Sequence, residues 1–434
     1  MSTPPAGLTS RWRTLRLKYC VRQIDDKVEG TGAQIYVGLE NIESWTGRYL
    51  NNETESRGDG TSIRFASGDV LFGKLRPYLA KCLRAEWDGA CTSELLVLRP
   101  RHLESRYLQF LMLSRDWIEV VNSSTYGAKM PRANWDFIGN LRVPVPEPNA
   151  QRAIANFLER ETARIDELVA RKERLIHLLN EKLSATITDA VTTSDHHGGA
   201  VFRASRADWL AHVPSHWKDM ILACATDRIG NGYVGPTRDI LTTDETNSVR
   251  YIQSLHIKNG RIQFRQPYFV DANWARSNPK SRVSQGDVLI VQTGAGTGGV
   301  AVVDQEFDGC HCHALIIVKL KSNLATGRYV NYFLRSSYGR QILESIRTGA
   351  MHPHLECSKV REVRLLLPPI AEQRQIVDKL DRIEALVTGA RQKMQSCVST
   401  LNVYRTALIS AAVTGQIDVR TYRKEPEAVL EPTA

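Results

Sequence analysis

Two stretches of the chain carry apolar side chains at steps of three and four residues and run for more than 40 positions without proline. The first begins after Pro146 and Pro148, and the second begins after Pro368 and Pro369. Prolines just ahead of such a stretch are typical of a helix start, because the first turn needs no N–H donor there. We expect two helices of about 60 Å each at 1.5 Å per residue.

The apolar positions recur about every 3.5 residues, which favours a coiled-coil seam over a broad core face. A helix this long cannot bury its stripe alone, and the obvious partner is the other stretch. The sequence therefore predicts two long antiparallel helices that pair with each other. The predicted helix-pairing residues are Ile154, Leu158, Ile165, Leu168, Leu175, Leu179, Ile376, Leu380, Ile383, Val387, Met394, Leu401 and Leu408.

The remaining sequence has the pattern of mixed α/β domains. Residues 105–122 and 326–347 have helical periodicity. Short apolar runs between turn residues predict strands. The predicted strands cover residues 34–39, 69–72, 95–98, 287–292, 300–303 and 315–320.

Motifs recur in the same order along the two halves of the chain. Trp12 matches Trp217 at an offset of 205, Asp69 matches Asp287 at 218, and the offset then stays at 222 from Pro146 onward. A rising offset followed by a constant one indicates a tandem duplication with a length-variable half and a helical half in constant register.

The repeat predicts an α/β (α+β) architecture: two globular domains separated by two long antiparallel helices that form a coiled coil with an internal pseudo-two-fold. The predicted segments are a first recognition domain (1–148), a first helix (149–192), a linker (193–213), a second recognition domain (214–367), a second helix (368–416) and a tail (417–434).

The net charge of +10 is concentrated in the two predicted globular domains. The first carries +3 and the second +6, which is the charge distribution expected for a polyanionic partner. No apolar run reaches the roughly 18 residues of a membrane helix. The eight scattered cysteines and an N-terminus without a signal-peptide pattern predict a soluble cytoplasmic protein with reduced thiols.

Two local patterns suggest ligand sites and are better explained by structure. Cys310, His311, Cys312 and His313 are adjacent, yet at most two of them can share one strand face and no second ligand pair exists, so strand packing is favoured over metal. Residues 294–299 satisfy G-x-G-x-x-G, but the apolar segment that follows predicts a strand where a dinucleotide site needs a helix. We expect a glycine-rich loop between two strands.

Motifs of several enzyme classes are absent from the sequence. It contains no G-x-x-x-x-G-K-[ST], no G-x-S-x-G and no H-E-x-x-H. The [DNS]-P-P-[YFW] element with which amino-methyltransferases bind a flipped base is also missing. We therefore expect no catalytic residues and no metal ligands on this chain.

Basic, aromatic and amide side chains in predicted loops are the candidates for DNA contact. Lysine and arginine neutralise phosphates, arginine can hold guanine O6 and N7, and glutamine can bond adenine. The predicted DNA-binding residues are Lys74, Arg76, Tyr78, Lys129 and Arg132 in the first domain, and Gln292, Thr293, Thr297, His352 and His354 in the second. Because the two sets differ chemically, we expect the two domains to recognise different sequences.

These residues resemble segments of the specificity subunits of type I restriction–modification systems, over nearly the whole chain. The similar segments are 36–42, 68–78 and 127–132 of the first domain, Pro144-Val145-Pro146 with Gln151-Arg152, Leu367-Pro368-Pro369 with Gln373-Arg374, and the ending 412–418. The second domain departs from that family's pattern, since it lacks the Lys-Leu-Arg-Pro-Tyr loop and has Gly298-Gly299 where a cation is often found.

The resemblance implies a non-catalytic subunit that binds a bipartite, asymmetric site on double-stranded DNA. It further implies two methyltransferase subunits, carrying S-adenosylmethionine for adenine methylation, and restriction/translocase subunits using ATP and Mg. No cofactor is expected on this chain. Two alternatives remain from the residues alone: a coiled-coil scaffold that binds proteins, and a divergent DNA methyltransferase or nuclease acting alone.

Overall fold

A computed structural model describes residues 12–28, 35–51, 61–127, 130–193, 201–205, 210, 212–294, 296–349 and 353–422. The chain divides into two compact units. Unit 1 comprises Met1–Glu173 and Met394–Ala434, and unit 2 comprises Arg174–Lys393. Each long helix therefore contributes one part to each unit.

The strands of unit 1 form three sheets. They are β1 (Arg13–Arg16), β2 (Val21–Ile24), β3 (Lys27–Val28), β4 (Ile35–Val37), β5 (Ser62–Phe65), β6 (Val70–Gly73), β7 (Cys82–Arg84), β8 (Gly89–Thr92), β9 (Leu95–Pro100) and β10 (Arg142–Val145). One four-stranded sheet has the order β2-β9-β6-β7, another has the order β3-β5-β8-β4, and β1 pairs with β10.

The helices that begin in unit 1 are α1 (Leu17–Cys20), α2 (Ser105–Leu113), α3 (Arg115–Ser123), α4 (Trp135–Ile138) and the 45-residue α5 (Pro148–Thr192). The helical stretch predicted for residues 105–122 is present as two helices, since Ser114 separates α2 from α3. The buried Ser114 hydroxyl donates to the Leu111 carbonyl at 2.7 Å, the kind of local bond by which serine competes with helical structure.

Among the described residues, unit 2 has more strands than unit 1. They are β11 (Phe202–Ala204), β12 (His212–Pro214), β13 (Lys218–Ile221), β14 (Thr226–Asn231), β15 (Leu241–Thr242), β16 (Ser248–Ile252), β17 (Ile257–Lys258), β18 (Arg261–Ile262), β19 (Phe269–Asp271), β20 (Val288–Val291), β21 (Val300–Val302), β22 (His311–Cys312), β23 (Leu315–Leu320) and β24 (Arg364–Leu367).

The sheets of unit 2 repeat part of the plan of unit 1. The order β14-β23-β20-β21 corresponds to β2-β9-β6-β7. In the other sheet β16 pairs in parallel with β22, as β4 pairs in parallel with β8, but β22 lies at the sheet edge whereas its counterpart β8 lies between β5 and β4. The duplication seen in the sequence therefore extends to the first of these sheets and, in the second, to the parallel strand pair.

The helices of unit 2 are α6 (Ala272–Ser277), α7 (Gly327–Arg335), α8 (Ser337–Ser345), α9 (Cys357–Arg361) and the 44-residue α10 (Ile370–Val413), which continues into unit 1. The helical stretch predicted for 326–347 is again present as two helices, and the break falls on Ser336, 222 residues after Ser114.

β6 and β20 carry no polar side chains because both of their faces are covered. Val70 and Phe72 of β6 point into one core, whereas Leu71 points into another. In β20, Val288 and Ile290 share one core, and Leu289 and Val291 share the other. Side chains that alternate between two cores explain the continuous apolar runs.

The long helices run antiparallel. In unit 1, Ile154 and Leu158 from the start of α5 share a core with Leu408 from the end of α10. In unit 2, Ile187 from the end of α5 shares a core with Leu380 from the start of α10. Each pairing is accompanied by a polar bond: Arg405 Nε lies 3.1 Å from Asp166 Oδ1, and Arg391 Nη1 lies 3.2 Å from Asn180 Oδ1.

The predicted helix-pairing residues differ in burial. The buried members lie towards the helix ends, whereas those in the middle of the helices, and Ile376 near the start of α10, are half-buried, and Leu175 is 41% exposed. The half-buried members are Leu168, Leu179, Ile376, Ile383, Val387, Met394 and Leu401, and the buried members are Ile154, Leu158, Ile165, Leu380 and Leu408. The globular domains therefore cover much of the stripe that the sequence assigned to pairing. Across the part of the chain that the structure describes, no helix is long and apolar enough to cross a membrane.

Candidate nucleic-acid interface

The loop after β6 carries the first-domain candidates and is bonded to the segment that contains Arg132. Ala133 N donates to Lys74 O at 2.9 Å, and Arg76 N donates to Pro131 O at 2.7 Å. Leu75 and Arg132 form a β-bridge between these two bonds. The structure thus brings Lys74, Arg76 and Arg132 into one loop cluster, although 56 residues separate Arg76 from Arg132 in the chain.

The backbone of Arg76 adopts the left-handed conformation, with φ of +50° and ψ of +62°. This conformation is unfavourable for a residue with a Cβ, by about 1 kcal/mol or more. Its side chain is exposed, as is that of Tyr78 two residues later. Strained backbone with outward-pointing side chains is frequent at functional loops.

Arg132 is oriented by an acidic residue that the sequence did not single out. Its Nη2 atom donates to Glu94 Oε1 at 2.6 Å, and Lys74 N donates to Glu94 O at 3.0 Å. Arg132 Nε and Glu94 Oε2 are buried and have no hydrogen-bond partner among the residues that the structure describes. Glu94 lies in the turn between β8 and β9, where nothing in the local pattern indicates a role.

The second domain repeats this cluster bond for bond. Leu355 N donates to Gln292 O at 2.9 Å, and Gly294 N donates to Pro353 O at 3.3 Å. Thr293 and His354 form the β-bridge between them. The equivalent bonds of the first domain involve positions 218 and 222 residues earlier, which are the offsets of the sequence repeat.

The side chains on this common backbone differ between the domains. Gly294, with φ of +90°, occupies the position of Arg76, and His354 occupies that of Arg132. Ala314 stands before β23 where Glu94 stands before β9, so the second domain has no carboxylate at the position that binds Arg132 in the first. The two loop clusters therefore present different chemistry on the same scaffold.

The remaining second-domain candidates are placed unequally. Gln292 is only 6% exposed. Thr293 is exposed. The Thr297 hydroxyl lies 2.6 Å from the Gly294 carbonyl oxygen and 3.1 Å from the Pro353 carbonyl oxygen, and it donates its hydrogen bond within the loop. Lys129 and His352 lie outside the described residues.

The two patterns that suggested ligand sites are structural. His311 Nδ1 lies 2.9 Å from Ser281 Oγ, and His313 Nδ1 lies 3.3 Å from the Tyr251 hydroxyl. Burial lowers the pKa of His311 and raises the pKa of Cys310 to about 11. Among the residues that the structure describes, no three His, Cys, Asp or Glu side chains are grouped so as to hold a metal ion.

The glycine-rich segment joins two strands, as predicted. β20 ends at Val291 and β21 begins at Val300, and the two pair antiparallel. Gly298 has φ of +85°, which a turn of this kind requires and glycine tolerates.

Comparison with known proteins gives a consistent result. The family model described as type I restriction modification DNA specificity domain matches residues 245–395. The type I restriction enzyme EcoBI specificity subunit of Escherichia coli is 18% identical over 319 residues, covering 72% of this chain and 66% of that protein. Matches to three further specificity subunits cover 35% to 44% of those proteins, so the chain aligns with less than two thirds of these relatives.

Two solved structures share the fold. One, described under "complex assembly and conformational transition of the type I R-M system", has a TM-score of 0.74 at 19% identity and covers 96% of this chain and 100% of that one. The HsdS subunit from Thermoanaerobacter tengcongensis has a TM-score of 0.52 at 20% identity, with the same coverages. These similarities show the fold of the chain. The family model and the curated relatives show that the chain is similar to type I restriction–modification specificity subunits.

Proposed function

We propose that this chain is the DNA sequence-recognition subunit of a type I restriction–modification complex and binds a bipartite, asymmetric site, with one half-site for each recognition domain. The observation that carries the proposal is the pair of loop clusters, Lys74–Tyr78 with Arg132 and Gln292–Thr297 with His354. They share one backbone hydrogen-bond pattern and carry different side chains.

Affinity and specificity have separate physical sources in this proposal. The positive charge of both domains supplies salt-dependent attraction to phosphates. Side chains on the loop clusters supply base contacts in the major groove, where arginine favours guanine. A cluster that presents Arg132 beside Glu94 and another that presents His354 would select different bases, which makes the site asymmetric.

The long helices set the distance between the half-sites. Each helix has about 45 residues, and residues near both of its ends pack into the unit cores. In this proposal the number of helical residues therefore determines the half-site separation. Dimer geometry fixes half-site spacing in other two-fold DNA-binding proteins for the same reason.

Catalysis belongs to partner subunits in this proposal. Two methyltransferase subunits, with S-adenosylmethionine, would dock on the chain and methylate adenines, and restriction/translocase subunits would use ATP and Mg. The absence of enzyme motifs from the sequence supports a recognition role for this chain.

A binding selection tests the proposal. The full-length chain, alone and assembled with the methyltransferase subunits, is incubated with random double-stranded DNA, and bound molecules are sequenced. Two short, different motifs at a constant spacing are expected. A single contiguous motif, or methylation or cleavage by the purified chain alone, would contradict it.

A further inference from the structure

A buried glutamine connects each recognition domain to the start of its long helix. In unit 1, Gln151 Nε2 donates to Pro146 O at 2.8 Å and to His102 O at 3.1 Å, and its Oε1 accepts from Glu104 N at 2.6 Å. Pro146 precedes α5, whereas Glu104 caps α2 of the recognition domain. One amide therefore bonds the helix entrance and the domain at once.

The same three bonds recur in unit 2. Gln373 Nε2 donates to Pro368 O at 2.9 Å and to Leu324 O at 2.8 Å, and Gln373 Oε1 accepts from Thr326 N at 2.9 Å. Every atom involved lies 222 residues after its counterpart. We call these two three-bond arrangements, centred on Gln151 and Gln373, the glutamine joints.

A tyrosine makes a second equivalent link at each joint. Tyr107 Oη donates to Pro144 O at 3.3 Å, and Tyr329 Oη donates to Leu366 O at 2.8 Å. Both tyrosines are fully buried and lie on the recognition-domain helices α2 and α7. The carbonyls they bond belong to the strands that lead into the long helices.

Apolar packing alone would hold the domain on the helix without fixing its angle, because hydrophobic contact is non-directional. Hydrogen bonds require particular distances and angles, and a buried polar group left without a partner is costly. Gln151 is 2% exposed and Gln373 is 0% exposed, so water cannot replace a lost bond. The glutamine joints thus favour one orientation of each recognition domain on its helix over slightly rotated orientations.

We propose that Gln151 and Gln373 are positioning residues that set the spacing between the two half-sites by fixing the angle of each recognition domain on its helix. This inference rests on the proposed function. A domain of this size is roughly 30 Å across. A rotation of about 10° at the joint would move its far side by about 5 Å, more than the ~3.4 Å rise of one base pair.

The test is a selection from double-stranded DNA in which the two half-sites of the wild-type chain are separated by spacers of every length. Gln373→Met keeps the side-chain volume and removes all three hydrogen bonds. The control is Gln375→Met, the same change at an exposed glutamine on the same helix. For Gln373→Met we expect unchanged half-site sequences and a roughly tenfold smaller preference for the wild-type spacer over spacers one base pair longer or shorter.

A uniform loss of affinity at every spacer length, with the wild-type spacer profile retained, would show that the joint only stabilises the fold and would overturn the inference. An unchanged profile at unchanged affinity would do the same. If Gln373→Met does not fold, Gln373→Asn, which keeps the amide but shortens its reach by one carbon, is measured in the same way. A wild-type chain that selects no bipartite site would instead refute the proposed function, so the two failures are distinguishable.

Discussion

Arg132 offers the sharpest test of how the first domain recognises bases. Its side chain is 43% exposed, and its Nη2 atom donates to Glu94 Oε1 at 2.6 Å, which restrains the position of the guanidinium. A bidentate arginine–guanine contact contributes about 1–3 kcal/mol to discrimination against the wrong base. Arg132→Ala should therefore weaken binding by about 5- to 150-fold, with the loss confined to sites that carry the preferred base at one position.

The assay is competition binding of the full-length chain with probes that vary each position of both half-sites, at several salt concentrations. His354→Ala is the matched variant, because His354 occupies the equivalent backbone position in the other domain. Arg132→Ala should relax one position of the first half-site only, and His354→Ala should affect the second half-site only. Equal weakening at all sequences, with the salt slope reduced by about one, would show a phosphate contact and refute base recognition by Arg132.

Three further predictions concern the loop, the helices and pH. The second domain has glycine at the position of Arg76, so Lys74→Ala is combined with Arg76→Gly. This double variant should lower DNA affinity and its salt dependence without destabilising the fold. Unaltered affinity would show that the loop is not part of the interface. Adding four residues, about one turn or 6 Å, to both long helices should lengthen the preferred spacer by one to two base pairs and leave both half-sites unchanged, whereas an unchanged spacer preference would contradict the role of helix length. Burial lowers the pKa of His256 and His311. At a pH near or below the ordinary histidine pKa of 6.5, the unfolded chain therefore binds more protons than the folded chain. Unit 2 should lose stability as the pH falls through this range. Thermal unfolding at pH 5 and pH 7 measures this, and His311→Asn should reduce the difference; an identical difference in that variant would exclude His311 as a cause.

The long helices and the central strands could be predicted because single physical patterns determine them. A stripe near 3.5 residues per turn specifies α5 and α10, and apolar runs between turns specify β6, β9, β20 and β23. The helix breaks at Ser114 and Ser336 were missed because apolar periodicity continues across them. A serine can lie on the exposed surface of a helix or cap a helix end, and the sequence does not distinguish these two positions.

The candidate interface could be predicted only in part. Basic and aromatic residues after a strand identify the Lys74–Tyr78 loop, and the repeat identifies its counterpart. Gln151 and Gln373 stand in segments that resemble the family, but their bonds, like the contact of Glu94 with Arg132, were not predictable because they join distant segments. Glu94 meets Arg132 across 38 residues, and Gln151 meets Glu104 across 47.

The central claim is that two different recognition domains on one chain specify two half-sites at a constant separation. Mapping methylated adenines in DNA modified by the complex of this chain with the proposed methyltransferase subunits tests it most directly, since it reports both half-sites and the spacer together. The proposal predicts two unlike short motifs, each containing a methylated adenine, separated by one constant number of base pairs. A single uninterrupted motif, or two identical half-sites, would contradict it.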